Sequence, residues 1–387
     1  MSRLLAILND RKGRAIAVQA LTAALLLAVV WFFVANTIEN LKRQNIASGF
    51  GFLWVQSGLD VLMHLIAYGP QSTYARLLLV GVLNTLLVSA LGIVFATLLG
   101  VAIGLARLSR NVALSGLAQA FIEFVRNIPL LLFVFFWYFG IVGLFPEPRA
   151  SLTLLDAVFL NKRGLFVPAP ESWLGLWRVA LAIALALLAA KTVALWAARR
   201  QAATGRPFPT ATLTVALLIA LPALALGQWI AATAWDVPQA GRFNIRGGFV
   251  LIPEFVALFA ALTTYTAGFI AEVVRSGIQS VSRGQREAAF ALGLKPAQVM
   301  RLIVLPQALR VIVPPLTSQY LNLIKNSSFG AAIAMPELVQ VFMGSTLNQT
   351  GQAVEVVAIT LAIYLTVNLA VSAFMNWYNK KVALVTR

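Results

Sequence analysis

The sequence predicts an all-α integral membrane protein with about eight transmembrane helices, and three observations support this class. The chain of 387 residues is 60% hydrophobic and only 11% charged, whereas soluble domains carry about a quarter charged residues. Several apolar runs reach about 20 residues, which is enough to cross a hydrocarbon core about 30 Å thick. Basic residues cluster on one side of these runs and acidic residues on the other, as the positive-inside rule requires.

The charge distribution argues against nucleic-acid binding, although the net charge is +17. Basic residues crowd the side predicted to be cytoplasmic: Arg11, Lys12, Arg14, Arg107, Arg110, Arg199, Arg200, Arg283, Arg286, Lys380 and Lys381. Acidic residues lie mostly on the outer side: Glu39, Asp60, Glu147, Asp156, Glu171, Asp236 and Glu337. Both termini are therefore predicted to be cytoplasmic.

The absence of cysteine excludes disulfides and thiolate metal sites. No arrangement of residues indicates a catalytic, metal or cofactor site.

The apolar runs give the predicted spans in order. The approximate ranges are 16–35, 77–106, a third span following "FIEFVRNIPLLLFVFFWYFG", 174–196, 210–233, 249–274, 316–335 and 354–378. In the second span Gly100 and Gly104 have the spacing at which two helices approach closely, and we interpret this pair as ordinary helix packing. The fourth and fifth spans are rich in Ala and Leu and are interpreted as accessory.

The seventh span is predicted from charge rather than from hydropathy. Its sequence, "PPLTSQYLNLIKNSSFGAAIAMPEL", contains Lys325, and an intramembrane Lys costs about 2.5–3.5 kcal/mol. The chain must nevertheless cross there, because the basic segment 283–310 and Lys380–Lys381 should share one side. A polar helix in a membrane faces protein or a water-filled path, so this span is the best evidence for a translocation route.

The loop before that span, "EAAFALGLKPAQVMRLIVLP", is predicted to form two short helices. Ser282 and Gln285 have the spacing of a capping box, and Gly293 supplies a left-handed turn. Pro296 suits the first position of a second helix, which Pro306 is expected to end. The small residues and flanking arginines suit either a docking surface for a partner protein or an interfacial helix on anionic lipid. The residues alone leave these alternatives open.

The loop resembles the EAA signature of ABC importer permeases. The matching positions are Glu287, Ala288, Ala289, Gly293, Ile303, Leu305 and Pro306. The resemblance implies that this loop is a coupling helix docked on an ATP-binding subunit, with Arg283 and Arg286 making charge-assisted bonds to it. The stretches "YTAGFIAEVVRSGIQSVSRGQREAAFALG" and "VLPQALRVIVPPLTSQYLNLIKNSS" resemble the polar amino-acid branch, which transports histidine, glutamine, glutamate and arginine.

The resemblance also implies a domain organisation. A five-span core of the type I importer fold would occupy 77–144 and 249–382, within a permease domain of residues 77–382. A two-span insertion, 145–248, would interrupt it. Residues 1–76 would hold an amino-terminal tail, a first span and a periplasmic segment. This enlarged layout resembles subunits of the general L-amino-acid permeases of Gram-negative bacteria, including the glutamate/glutamine/aspartate/asparagine type.

The implied function is that of a permease subunit of an ATP-driven importer for polar L-amino acids in the inner membrane. The chain has no G-x-x-x-x-G-K-[ST] loop, so ATP hydrolysis is expected on a separate subunit, and the chain itself is not expected to be an enzyme. The expected partners are a pair of ATP-binding subunits, a second permease subunit and a periplasmic binding protein. The alternative is a secondary transporter driven by an ion gradient, although carboxylates are nearly absent from the middle of the spans.

The candidate substrate pathway uses polar residues of the sixth and seventh spans: Thr263, Thr264, Tyr265, Thr266, Lys325, Asn326 and Ser327. Hydroxyls and amides bond both ends of a zwitterion, and Lys325 would offset the charge of its carboxylate. The alternative is that these groups bond neighbouring helices, with Lys325 pairing with Glu272 or reaching the cytoplasmic surface. Glu272 and Arg275 are expected to form a structural ion pair or gate.

Overall fold

A computed structural model describes residues 11–43, 48–172, 175–206, 208–241 and 245–382. The helices are α1 (Arg11–Arg43), α2 (Tyr74–Arg107), α3 (Val112–Asn127), α4 (Leu130–Phe135), α5 (Leu176–Thr204), α6 (Thr210–Ala232), α7 (Pro253–Gln279), α8 (Arg283–Ala291), α9 (Pro296–Val299), α10 (Leu305–Asn326), α11 (Leu347–Thr350) and α12 (Ala353–Val382). Short 3₁₀ turns occupy Phe50–Trp54, Val142–Leu144, Pro148–Ala150 and Ser327–Ile333, and π-helical turns occupy Phe136–Ile141, Met300–Val304 and Val339–Thr346.

The predicted class, a multi-span helical membrane protein, is confirmed. Within the described residues, seven helices are long and apolar enough to cross a membrane, and the number is eight if α3 and α4 form one bent span. The axes of α3 and the helical segment 130–144 differ by 110° at a break that contains Pro129, which cannot donate a backbone N–H. Leu174, with which the predicted fourth span begins, lies outside the described residues.

The chain forms two compact units, Phe135–Ala257 and the remainder of the chain. In the larger unit, α2 packs closely against α7. A Cβ atom on Gly100 would lie 2.7 Å from the Ile270 side chain, and one on Gly104 would lie 2.7 Å from the carbonyl oxygen of Ala271. The close helix approach predicted from the Gly-x-x-x-Gly spacing is therefore confirmed.

A buried segment between α10 and α12 packs against the first half of α2. Met335, Glu337 and Leu338 have no exposed surface. The Asn84 side chain donates to the carbonyl oxygens of Met63 and Pro336 at 2.9 and 2.8 Å. These bonds satisfy backbone groups that would otherwise be costly to bury.

The smaller unit contains the helical pair α5 and α6 together with short strands that the all-α prediction missed. The strands are β1 (Leu152–Leu154), β2 (Val158–Asn161), β3 (Gly164–Val167), β4 (Ala169–Pro170), β5 (Trp235–Asp236), β6 (Gln239–Ala240), β7 (Ile245–Arg246) and β8 (Phe249–Leu251). All pairings are antiparallel, and one sheet has the order β1-β2-β3-β8.

The boundary predicted for the sixth span is wrong at its beginning. Phe249–Leu251 pairs with β3, and the helix begins only at Pro253. Proline is well suited to the first turn of a helix, because the N–H that it lacks would have no partner there. An apolar run that continues from a strand into a helix gives no periodicity signal for the change.

Candidate functional site

The predicted turn between two short helices is present in the loop that follows α7. α8 ends at Ala291, and Gly293 has a φ of 76°, a left-handed conformation that glycine adopts without steric cost. No atom lies within 4 Å of the position that a Cβ on Gly293 would occupy, so the turn is open to its surroundings. Pro296 stands in the first turn of α9, as expected.

The predicted capping box at Ser282 and Gln285 is wrong. Ser282 precedes α8, but its side chain makes no capping hydrogen bond. A reciprocal pair occurs instead at the next helix, where Lys295 N–H donates to Oε1 of Gln298 and Gln298 N–H donates to the Lys295 carbonyl, both at 2.8 Å.

The prediction that Pro306 ends a helix is also wrong. A π-helical turn at Met300–Val304 leads into α10, and Leu305 N–H donates to the Met300 carbonyl five residues earlier. This wider turn accommodates the proline, which has no N–H to donate. Helical structure therefore extends from Pro296 to Ile333, and the helix that contains the predicted seventh span begins about 20 residues before position 316.

The residues of the EAA signature divide between a buried and an exposed face. Ala289 is 3% exposed and packs inside the chain. Glu287, Ala288 and Gly293 are exposed, and Ile303 is half-buried before the exposed residues Leu305 and Pro306. The side chains of Phe290 and Leu292 are also exposed to solvent, and Leu292 is 83% exposed. Apolar side chains at an open turn indicate an interaction surface, which we call the loop face: Glu287, Ala288, Phe290, Leu292 and Gly293.

The structure places the two arginines of this loop in different environments. Arg283 is exposed. The Nη2 atom of Arg286 donates to the carbonyl oxygens of Ile278 and Val281, at 2.7 and 3.1 Å. The guanidinium donates hydrogen bonds to carbonyl oxygens at the end of α7, and its positive charge interacts favourably with the helix dipole. Arg286 therefore joins α8 to the end of α7 within the chain itself.

The expected ion pair near the carboxyl-terminal end of α7 is present. Arg275 Nε donates to Glu272 Oε2 at 2.9 Å, and a second contact joins Arg275 Nη2 to Glu272 Oε1. Among the ion pairs between described residues, Glu272 pairs with Arg275 and not with Lys325. The alternative of a Glu272–Lys325 pair is therefore wrong.

Lys325 lines a cavity of about 500 Å³. Its described lining comes from α10, from the segment before α12 and from α12 itself. The polar residues of this lining, here called the Lys325 cavity, are Lys325, Ser328, Thr360, Tyr364 and Asn368. Asn368 Oδ1 is buried and has no hydrogen-bond partner among the described residues.

The other predicted pathway residues are not all brought together with Lys325. Asn326 is half-buried, and Ser327 is buried with its Oγ donating to the Ile324 carbonyl at 2.7 Å. Thr264 donates to the Ala260 carbonyl in its own helix at 2.7 Å. None of the four α7 candidates is among the described residues that line the Lys325 cavity.

The α7 candidates occupy a separate part of the packed core. Thr263 and Thr266 are buried, at 8% and 3% exposure, and Thr263 Oγ1 has no hydrogen-bond partner among the described residues. The Tyr265 ring packs against Phe133 and Phe269, with centroids 5.8 and 5.1 Å away. This group fits the alternative of helix packing better than a pathway shared with Lys325.

Glu337 is a candidate functional residue that was not predicted from the sequence. Its charge alone assigned it to the acidic residues on the outer side of the membrane. Its side chain is completely buried. The carboxylate accepts N–H bonds from Val339 and Gln340, at 2.9 and 2.8 Å, and Tyr364 Oη lies 3.2 Å from Oε2. Burying an ionisable side chain is costly unless hydrogen bonds satisfy it, so Glu337 marks a site of structural or functional constraint.

Comparison with known proteins shows the family of the chain. Residues 92–384 match the family described as binding-protein-dependent transport system inner membrane component. The chain is 50% identical to the general L-amino acid transport system permease protein AapQ of Rhizobium johnstonii, over 98% of this chain and 94% of that protein. It is 40% identical to the glutamate/glutamine/aspartate/asparagine transport system permease protein BztB of Rhodobacter capsulatus, over 100% of this chain and 97% of that protein. The chain therefore belongs to the family of inner membrane components of binding-protein-dependent transport systems.

Proposed function

We propose that this permease subunit imports polar L-amino acids and is driven by ATP hydrolysis on a partner subunit. The observation that carries the proposal is the loop face, an open turn with exposed apolar side chains that lies between α7 and the helical structure from Pro296 to Ile333. The relatives AapQ and BztB, which are similar over nearly the whole chain, are named as amino-acid permeases. Their names support the substrate class.

The loop face would receive the movement of the ATP-binding subunit, and two structural links would carry it into the membrane. On one side Arg286 bonds the carbonyls at the end of α7. On the other side helical structure continues from Pro296 to Ile333. Nucleotide binding would shift the spans by favouring one of their arrangements over the other. Arg283 is exposed and would contribute charge-assisted bonds to the partner.

The Lys325 cavity is the proposed point of substrate contact. An amino acid carries a carboxylate, which the Lys325 ammonium would neutralise. Its own ammonium requires acceptors, and the buried Asn368 Oδ1 and the hydroxyls of Ser328 and Thr360 supply them. In the proposed assembly, a second permease subunit would complete the pathway.

The assembly proposed around the chain comprises two ATP-binding subunits, a second permease subunit and a periplasmic binding protein. Both termini would be cytoplasmic, which places the loop face and Lys380–Lys381 on the same side as the ATP-binding subunits. The insertion 145–248 would lie within the permease domain 77–382, and its strands would provide an outer surface on the side of the binding protein.

The direct test is transport in proteoliposomes that contain the chain with its partner subunits. We expect uptake of glutamate or glutamine to require ATP on the side of the membrane that carries the ATP-binding subunits. Uptake should persist when an ionophore collapses the ion gradients. A mutant ATP-binding subunit that binds but does not hydrolyse ATP serves as the control. Uptake by this chain alone, driven by an ion gradient, would contradict the proposal and favour a secondary transporter.

A further inference from the structure

A second cavity lies between the first and the last helix. Its volume is about 350 Å³, and most of its lining is apolar. α1 contributes Phe33 and Thr37, the following segment contributes Ser48 and Phe50, and the beginning of α12 contributes Glu355. These elements all belong to the larger unit, and the cavity lies at the end of α12 opposite Lys380–Lys381. By the positive-inside rule this end is the outer one.

Glu355 is the unusual member of this lining. It is only 8% exposed, and its Oε1 atom accepts the Gly49 N–H. Its Oε2 atom is buried and has no hydrogen-bond partner among the described residues. No lysine or arginine is among the described residues that line the cavity. Burying a carboxylate oxygen without a hydrogen-bond partner is costly, so Oε2 favours a cationic donor, and the described residues that line the cavity supply none.

We propose that the cavity binds an aminophospholipid, with the lipid ammonium group bonded to Glu355. The three parts of such a lipid match the three kinds of lining residue. The primary ammonium supplies a positive charge and an N–H donor for Glu355 Oε2, which has no hydrogen-bond partner among the described residues. The hydroxyls of Thr37 and Ser48 are donors for the phosphate oxygens, and Phe33 and Phe50 present apolar surface to the acyl chains.

The exposed character of α1 supports a lipid as the occupant. In the described part of α1, the window of 18 most apolar residues has no buried residue, so most of this helix is available to surrounding lipid. A lipid wedged between α1 and α12 would add the contacts that protein side chains do not provide there. The site is independent of the loop face and the Lys325 cavity, and its test therefore does not depend on transport.

The experiment measures the lipid retained by the purified transporter. The complex is extracted in mild detergent from bacterial membranes, and its bound lipids are quantified by mass spectrometry against the bulk membrane. We expect phosphatidylethanolamine to be enriched over phosphatidylglycerol in the wild type, and Glu355→Gln to lose this enrichment. Glu254→Gln is the matched control, because Glu254 also stands in the first turn of a span and accepts a bond from Tyr138 at 2.9 Å. It should retain the enrichment.

Two further measurements keep the proposal testable if Glu355→Gln folds poorly. Ala358→Trp fills the cavity from an exposed position without changing its charge, and it should also lose the retained lipid. In wild-type nanodiscs, the unfolding temperature should be higher with phosphatidylethanolamine than with phosphatidylcholine, whose trimethylammonium group has no N–H to donate. The proposal would be overturned if the lipids retained by the wild type had the same composition as the bulk membrane. It would also be overturned if both variants retained the full enrichment.

Discussion

The hydroxyl of Tyr364, in the middle of α12, lies 3.2 Å from Oε2 of the buried Glu337. The same hydroxyl lies 3.4 Å from Ser327 Oγ, while Leu338 N–H donates to Thr85 Oγ1 at 3.0 Å. These bonds fix the segment before α12 to α12 and α2, and they join α12 to the 3₁₀ turn that follows α10. Because Tyr364 also lines the Lys325 cavity, the Glu337–Tyr364 contact sets the position of a wall of the proposed substrate site.

We expect Tyr364→Phe to destabilise the protein by about 1–3 kcal/mol, because Glu337 loses a donor and remains buried. The measurement is the unfolding temperature of the purified chain in detergent. Tyr378→Phe is the control, since Tyr378 is 40% exposed and also belongs to α12. Equal unfolding temperatures for the two variants would show that the Glu337–Tyr364 bond contributes nothing to stability.

The packing of α2 on α7 predicts opposite effects for two Gly→Ala changes. Gly104→Ala places a methyl group 2.7 Å from the Ala271 carbonyl oxygen and 3.0 Å from Val274, and it should destabilise by about 1–3 kcal/mol. Gly116→Ala, inside α3, meets no atom within 4 Å. It should stabilise by up to about 1 kcal/mol through helix propensity. Thermal unfolding of both variants tests the pair, and a stabilised Gly104→Ala would contradict the described helix packing.

The sequence was informative wherever a physical rule acts locally. Apolar length predicted the spans other than the seventh, the Gly100–Gly104 spacing predicted close helix packing, and Gly293 predicted the left-handed turn. Each of these inferences needs only the residue types and their spacing, and each agrees with the structure. The strands of the smaller unit were missed because they are two to four residues long, too short for a period of two to be recognised.

The remaining differences arise from contacts between distant parts of the chain. Charge alone placed Glu337 outside, but burial beside Tyr364 could not be inferred from its neighbours in sequence. Pro306 has the residue type of a helix breaker, yet the π-helical turn before it lets the helix continue. Arg286 was interpreted as a partner contact, and only the fold brings its guanidinium to the end of α7. A single sequence does not indicate which residues that are distant in the chain will come into contact.

Gly293→Asp tests the loop face. The left-handed φ of 76° costs an L-residue roughly 1–2 kcal/mol, and the added carboxylate would stand on the docking surface. We expect normal insertion into the membrane but no substrate-stimulated ATP hydrolysis. Gly351→Asp is matched in geometry, with a φ of 69° and open space, and it lies away from the loop face. It should retain hydrolysis, whereas wild-type hydrolysis in Gly293→Asp would count against the coupling role.

The two arginines of the loop should have separable roles. Arg286→Met removes the bonds to the Ile278 and Val281 carbonyls, so α8 should still dock but no longer move α7. We expect a stable complex whose ATP hydrolysis continues while uptake per ATP falls. Arg283→Met removes an exposed charge and should instead weaken assembly with the ATP-binding subunit. The measurements are copurification and the ratio of uptake to hydrolysis, and identical behaviour of both variants would refute the division.

Lys325→Ala tests whether the Lys325 cavity contacts the substrate. Loss of a charge-assisted bond to the substrate carboxylate costs about 1.5–3 kcal/mol, so the KM for uptake should rise roughly tenfold or more. Complex assembly and basal ATP hydrolysis should remain unchanged, because Lys325 is exposed to the cavity rather than packed. Lys325→Arg should recover part of the affinity by restoring the charge.

Lys191→Ala, which removes an exposed lysine from α5, controls for loss of charge within a span. An unchanged KM in Lys325→Ala would remove this residue from the pathway and leave the cavity as packing space between α10 and α12.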